Sequence, residues 1–285
     1  MFEIIKEVII DGLIDNLKIL PFLFATFLLM EYLEDKMKDK TRESLKKAGK
    51  IGPLWGSVLG IIPQCGFSAA ASNLYAGRVI TMGTLIAIYL STSDEMLPIL
   101  ISTKAPVVLI VEILLVKVVI GIIAGFIMDL VASKLFKFKE KDVDIHHFCE
   151  HEHCECGHGI VKPAIKHTLK IFVFLLIVSV VIGIVVELVG LEAISSSVIG
   201  NSFLGPLIAG LIGLIPNCAA SVVITGLYIE GALSFGTMIA GLLVGAGVGI
   251  LVLCRVNEAK KENVIIISYL YVVGVICGML LNLIF

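Results

Sequence analysis

The sequence contains few charged residues. Of its 285 residues, Asp, Glu, Lys and Arg make up 16%, whereas apolar residues make up 58% and the mean hydropathy is +1.03. So little charge cannot cover a water-facing surface around a single core, which excludes a soluble enzyme. The chain also lacks an excess of positive charge, since its formal net charge is −2, and this excludes a nucleic-acid-binding protein. The composition therefore predicts an integral protein of a lipid bilayer.

Two further features are missing. The N-terminus has neither the basic region nor the small-residue cleavage site of a secretory signal peptide, and residues 1–16 instead predict an amphipathic helix on the membrane surface. The seven cysteines lack the even, spaced arrangement of a disulfide framework, because three of them lie within residues 149–156 beside five histidines. Such thiols are typical of metal binding.

The apolar stretches are long enough to cross a membrane as helices. The first predicted span runs from about residue 17 to 33, and the remaining stretches are 51–76, 79–101, 105–132, 168–190, 204–229, 232–254 and 264–285. A polar insert at 134–167 separates a first transmembrane repeat, 17–133, from a second, 168–285. The sequence thus predicts an all-α polytopic membrane protein, and this plan is compatible with a homo-oligomer.

The two halves repeat each other. Residues 52–100 align without a gap on 205–253, an offset of 153, and sixteen of the forty-nine positions are identical. The identities include rare residues, such as Pro63 with Pro216 and Cys65 with Cys218, which compositional bias would not align. The sequence therefore predicts an internal duplication.

The basic loops indicate how the repeats are oriented. Lysine and arginine concentrate in 34–50, 134–166 and 255–263, whereas 190–204 has none, and basic loops favour the cytoplasmic side. All three basic loops reach that side only if the segments 51–76 and 204–229 are broken or re-entrant helices, interrupted at Pro63 and Pro216. Each half then makes an odd number of crossings, which predicts two inverted repeats. Additional breaks near 91–98 and 245–249 would preserve the inversion.

The two proline turns carry similar polar side chains. Broken helices at matching places in two halves indicate a substrate site, because freed backbone groups survive at membrane depth only against protein or a watery cavity. Ordinary helix packing by small polar residues explains one such turn, but its presence in both halves favours a site. The predicted substrate-binding residues at the turns are Gln64, Cys65, Ser68, Asn73, Asn217, Cys218 and Ser221.

Acidic residues inside the apolar stretches give a second indication. Asp94 and Glu95 lie midway along 79–101 and suit a divalent cation or a proton relay, unless they lie in a short loop at the membrane surface. The second half has Gly247 and Val248 at these positions, so the pair is not duplicated. Glu112 and Lys117 could form an interior pair, although a spacing of five is not ideal on a helix.

The polar insert concentrates metal-ligating side chains. Their density suits Zn, Ni, Co or Cu, although their spacing matches no closed zinc fold and a disordered linker could show the same bias. The predicted metal-binding residues are His146, His147, Cys149, His151, His153, Cys154, Cys156 and His158.

These motifs resemble those of the ten-span heavy-metal exporters of prokaryotes, which are commonly described as manganese transporters or arsenic efflux proteins. The resemblance rests on residues 62–68, 91–95 and 215–219, with a His-rich loop between the halves. It implies a transporter of two halves with roughly ten helical segments, located in the prokaryotic inner membrane. It also implies export of a metal or metalloid.

Ligand chemistry leaves two substrates open. Manganese prefers oxygen ligands such as Asp94 and Glu95, and trivalent arsenic prefers the thiolates of Cys65 and Cys218; the carboxylates favour a divalent metal, with manganese first. No resident cofactor is required. The chain has no G-x-x-x-x-G-K-[ST] loop, so an ion gradient, with protons the first candidate, or a partner ATPase would drive transport. The alternatives of another class are a membrane-embedded metalloenzyme that uses the His/Cys insert and a passive channel.

Overall fold

The computed structural model describes residues 51–62, 65–135, 161–189 and 203–284, together with scattered positions between 10 and 28. Throughout these ranges the chain is all-α, and this confirms the predicted fold class. The first half contains α1 (Gly52–Leu59), α2 (Cys65–Ala76), α3 (Met82–Ser91), α4 (Met96–Ser102) and α5 (Val107–Leu135). The second half contains α6 (Val161–Val189), α7 (Gly205–Gly213), α8 (Cys218–Ile229), α9 (Phe235–Val244), α10 (Gly249–Val256) and α11 (Lys260–Ile284).

Five helices follow the same order and spacing in both halves. Each start in the second half lies 153 residues after its counterpart, at 52 and 205, 65 and 218, 82 and 235, 96 and 249, and 107 and 260. Within each half the packing is also equivalent, since α1 packs on α3 and α3 on α5, while α7 packs on α9 and α9 on α11. The offset found in the sequence is therefore also the offset of the helices.

Local signals at the helix starts are duplicated as well. Thr81 and Ser234 are the N-caps of α3 and α9, and each accepts a hydrogen bond from the backbone three residues later. A side chain from the last helix of the same half supports each cap: Asp129 accepts from Thr81 at 2.8 Å, and Asn282 accepts from Ser234 at 2.7 Å. The equivalent N-cap is thus supported by a carboxylate in the first half and by a carboxamide in the second.

Two apolar stretches that the sequence predicts as spans contain interruptions. Residues 92–95 separate α3 from α4, and residues 245–248 separate α9 from α10. Each pair together is long and apolar enough to cross a membrane, as are the uninterrupted α5 and α11. Pro98 lies inside α4 and not at the interruption, so the first break does not follow from a proline.

The interrupted spans form the centre of the molecule. All ten residues of α3 and nine of the ten in α9 are buried. By contrast, α5 and α11 leave large apolar side chains exposed along their length, such as Leu115, Ile123, Val272 and Leu280. Exposed apolar faces of this length fit a lipid surface, so the chain is a multi-pass membrane protein with α3 and α9 shielded inside.

Helical structure extends into the predicted polar insert from both sides. Helix α6 begins at Val161 rather than at residue 168, and α5 continues to Leu135. Pro163 stands in the first turn of α6, where a missing amide hydrogen costs nothing. The predicted surface helix at 1–16 and the predicted metal ligands from His146 to His158 lie mostly or wholly outside the described residues, so both stay predictions.

Candidate functional site

The two interrupted spans meet at their breaks. Asp94 has φ of +34° and Gly247, 153 residues later, has φ of +53°, so both breaks turn through the left-handed region at the same position. A β-carbon placed on Gly247 would lie 2.9 Å from the Asp94 Oδ2 atom. The Asp94 carboxylate therefore packs directly on the backbone of the opposite break. Left-handed backbone is unfavourable for a residue with a side chain and is concentrated at functional sites.

The two predicted acidic residues, Asp94 and Glu95, lie in different environments. Asp94 is only 5% exposed, whereas Glu95 is half-buried at the start of α4. Asp94 therefore lies in the protein interior and not in a loop at the membrane surface. A carboxylate at this depth is costly unless a cation or hydrogen-bond donors balance its charge.

Lys117 provides such a cation. Its side chain is 1% exposed, its Nζ atom donates to the carbonyl oxygen of Leu242 at 2.6 Å, and its ammonium interacts electrostatically with Asp94. The expected interior pair with Glu112 is not what the described residues show, because Glu112 acts electrostatically on Tyr228 instead. Sequence reasoning thus underrated Lys117, although a lysine midway along a 29-residue apolar helix was a usable signal.

Helix α2 lines the second break with polar side chains. The Ser72 hydroxyl lies 2.8 Å from the carbonyl oxygen of Gly249, 2.7 Å from that of Ser68 and 2.6 Å from the Tyr89 hydroxyl. Ser68 is fully buried, and a β-carbon on Gly249 would lie 3.0 Å from its Oγ atom. These contacts place α2 of the first half against the break in the second half.

Asn73 differs from its neighbours on α2. Its side chain is fully buried, yet neither its amide nitrogen nor its amide oxygen has a hydrogen-bond partner in the part of the chain that the structure describes. A buried carboxamide without partners costs about 1–3 kcal/mol. Asn73 is therefore a suitable ligand for a bound ion or water molecule, as the sequence predicts.

The second proline turn mainly serves its own helix. Residues 214–217 separate α7 from α8, and Asn217 caps α8 by accepting from the amide of Ala219 at 3.5 Å. Ser221 donates to the carbonyl of Cys218 at 2.8 Å, and the Cys218 thiol is buried at the first position of α8. Of the predicted ligands in this half, Asn217 and Ser221 thus have local structural roles.

The first proline turn reaches the first break. The Ser93 hydroxyl donates to the carbonyl of Ile61 at 2.6 Å, and a β-carbon on Gly60 would collide with Ser91. Pro63, Gln64 and the side chain of Cys65 lie outside the described residues, so their predicted role is untested. Among the residues that are described, no group of three or more His, Cys, Asp or Glu side chains could hold a metal ion.

An ion pair joins the two halves at one end of the molecule. Glu262 at the start of α11 accepts from both terminal nitrogens of Arg78, at 2.8 and 3.1 Å, and from the Tyr75 hydroxyl at 2.7 Å. Burial lowers the pKa of Arg78, but the hydrogen bonds and charges of Glu262 and Tyr75 together outweigh this effect and raise the pKa above its usual value. Beside it is a cavity of about 250 Å³ lined in part by Thr81, Asp129 and Ser133.

Arg78 occupies an unfavourable backbone position. Its φ is +58°, and the residue 153 positions later is Gly231, with φ of +76°. Glycine adopts this conformation without cost, whereas a residue with a side chain pays about 1–2 kcal/mol. The bonds with Glu262 give a physical reason for arginine at this turn.

The family model titled "Putative, 10TM heavy-metal exporter" matches residues 3–199 and 188–285 of the chain. The two ranges together cover nearly all of the 285 residues. No protein of curated function and no solved structure matches the chain significantly.

Proposed function

Since the chain belongs to the family of 10TM heavy-metal exporters, we propose that it is a secondary-active transporter that exports a divalent heavy-metal ion, with manganese the first candidate. The substrate site would lie where the two interrupted spans meet. The observation that carries this proposal is the buried Asp94 carboxylate packed on the backbone of Gly247. An acid at this depth marks an ion pathway in membrane proteins.

The available ligands are mainly oxygen atoms. Besides Asp94, the region contains hydroxyls of α2, the buried carboxamide of Asn73 and the carbonyls at the interrupted helix ends. Carboxylates, carbonyls and amide oxygens are the ligands that manganese and other hard divalent cations prefer. This ligand chemistry supports a divalent cation where the two breaks meet. Glu95, which is half-buried at the start of α4, is a candidate to attract the cation before it binds.

An inverted arrangement of the halves is consistent with the long-range contacts. Asp129, near the end of α5, lies beside Thr81, while Glu262, at the start of α11, bonds to Arg78 three residues before Thr81. Midway along both helices, the Tyr269 hydroxyl donates to the carbonyl of Ala124 at 3.0 Å. These contacts support a proposed arrangement in which the equivalent helices α5 and α11 run in opposite directions, as inverted repeats require.

The basic loops then set the direction. With 34–50, 134–166 and 255–263 in the cytoplasm of a prokaryotic cell, the Arg78–Glu262 end faces inward and the His/Cys insert can capture metal before export. The proton gradient of the inner membrane would supply the energy. This role requires no catalytic residue, so we propose a transporter and not an enzyme.

Arsenite is the second candidate substrate. Cys218 is buried at the first position of α8, directly after a helix interruption, and Cys65 holds the equivalent place in α2. A pair of thiols, one from each half, is the ligand set that trivalent arsenic prefers. This alternative needs the thiols and not the Asp94 charge.

Two pairs of substitutions distinguish the substrates. In a deletion strain challenged with Mn, Zn, Co, Ni, Cd and arsenite, the wild-type gene should protect against one species or a narrow group. For a divalent cation, Asp94→Asn with Glu95→Gln should abolish protection, and Cys65→Ser with Cys218→Ser should only weaken it. For arsenite the order should reverse. If neither pair affects protection at matched membrane levels, the central site is misplaced.

A further inference from the structure

We propose that Lys117 is the resident cation of the transport site: its ammonium, bonded to the Leu242 carbonyl beside the break on which Asp94 packs, balances the Asp94 carboxylate, and the exported metal ion must displace it. This inference rests on the proposed function of cation export. It adds a specificity-determining residue that lies outside both proline turns.

The fold itself does not require a lysine at this position. Lys117 lies in α5, and the equivalent residue of α11 is Leu270, which is fully buried in the same kind of helix packing. Holding an ammonium inside an apolar helix is unfavourable, whereas a buried leucine is favourable there. A charge maintained in one copy only therefore indicates a function of that copy.

The partners of Lys117 come from both halves. Leu242 lies in the last turn of α9, which ends at Val244, so its carbonyl has no amide donor further along the helix and carries the negative end of the helix dipole. Asp94 lies in the break of the first half, packed on Gly247 of the second. The Lys117 side chain thus ends beside the same break on which the Asp94 carboxylate packs.

These oxygen ligands are those that a divalent metal ion would use. A divalent metal ion and an ammonium held by the same oxygen ligands repel each other strongly, because both are positive and little water screens them. Metal and ammonium therefore cannot share the site, and the ammonium must leave when the metal binds.

Displacement of Lys117 by the metal ion affects net efflux and metal-for-metal exchange differently. When the metal has left, the Lys117 ammonium can again neutralise Asp94, which lets the empty carrier return without a bare buried carboxylate. Metal-for-metal exchange never uses the empty carrier, whereas net efflux uses it in every cycle. Loss of the lysine charge should consequently impair net efflux and not exchange.

The test uses the purified full-length protein in proteoliposomes with radioactive Mn²⁺ as the probe. Lys117→Met should bind Mn²⁺ about tenfold more tightly, because a competing cation is gone. It should keep exchange within about threefold of wild type and lose net efflux by at least about tenfold. The matched control is Lys104→Met, since Lys104 is exposed in the loop between α4 and α5. Its Mn²⁺ affinity, exchange rate and net efflux rate should all equal those of the wild type.

The outcomes are separable. If Lys117→Met does not reach the membrane, Lys117→Gln, which can still donate to Leu242 but has no charge, carries the same expectations. Weaker or unchanged Mn²⁺ binding in the neutral variant, or loss of exchange together with net efflux, would overturn the resident-cation role. Either result would indicate that Lys117 has a structural role, and the proposed export would remain intact. A wild-type protein that neither binds nor moves Mn²⁺ would contradict both.

Discussion

Removing the charge of Glu262 should open the end of the protein that we assign to the cytoplasm. This carboxylate accepts three short hydrogen bonds, two from Arg78 and one from Tyr75, and these bonds tie α11 of the second half to α2 and its following turn in the first. No equivalent ion pair can form at the other end, because the equivalent residues are Gly231 and Leu109. We therefore expect this ion pair to hold its end of the molecule closed.

The magnitude follows from burial. The Arg78 and Glu262 side chains are 24% and 14% exposed, so the pair lies between a solvated ion pair, which contributes about 0.2–1 kcal/mol, and a buried charged hydrogen bond, which contributes about 1.5–3 kcal/mol. We take about 2 kcal/mol for Glu262→Gln, which retains the volume and loses the charge. This corresponds to a shift of roughly 30-fold between closed and open populations.

The assay is the labelling rate of a single cysteine at Ser68, in a background without other cysteines, by an impermeant thiol reagent added from the predicted cytoplasmic side. Glu262→Gln should raise the rate roughly 30-fold at most. The control Glu230→Gln changes an exposed carboxylate after α8 and should have no effect. Exchanging the charges, with Arg78→Glu and Glu262→Arg, should restore part of the protection. Unchanged labelling in Glu262→Gln would refute the idea that this pair closes the end.

Three further outcomes are expected. Accessibility reporters at Lys46, Lys139 and Lys260 should all react from the cytoplasm and one at Ser197 from outside, and external labelling at Lys139 would reject the inverted topology. Deleting 145–158 should reduce metal binding by the purified protein but leave measurable transport, because Asp94 and α2 remain; complete loss with normal insertion would place the essential site in the insert. Gly247→Ala should impair transport, because the new β-carbon would lie 2.9 Å from the Asp94 carboxylate. Gly231→Ala, also at positive φ but with nothing within 4 Å, should lower only the stability of the protein. Thermal unfolding and transport measured on both variants check this difference.

The helix plan of the two halves carries local signals that recur at one spacing. Prolines near the starts of α1 and α7 and hydroxyl N-caps before α3 and α9 are such signals, and they place helix boundaries. The length of the apolar stretches correctly predicted the all-α, multi-pass fold, and the motifs at 62–68, 91–95 and 215–219 correctly predicted the family. The burial of Asp94 also agrees with the expectation that an acid inside an apolar stretch lies in the protein interior, where it is costly and usually functional.

The centre of the site was less predictable. The break at 92–95 contains no proline or glycine, and only its packing on Gly247 reveals why the chain turns there. Sequence proximity suggested Glu112 as the partner of Lys117, but the hydrogen-bond acceptor is Leu242, 125 residues away. Likewise, Arg78 lies 184 residues from Glu262. Such pairs depend on how the halves pack, and a single sequence does not contain that information.

The central claim is that Asp94 holds the exported cation. The most direct measurement is proton-driven accumulation of radioactive Mn²⁺ in everted membrane vesicles, with Zn, Co, Ni, Cd and arsenite measured in parallel. Wild-type vesicles should accumulate Mn²⁺, and Asp94→Asn should reduce this by at least about tenfold, as expected when a charged ligand is lost. Asp129→Asn is the matched control, since Asn282 supports the equivalent helix cap, and it should transport normally. Undiminished accumulation in Asp94→Asn at matched membrane levels, or no Mn²⁺ accumulation by the wild type, would contradict the account.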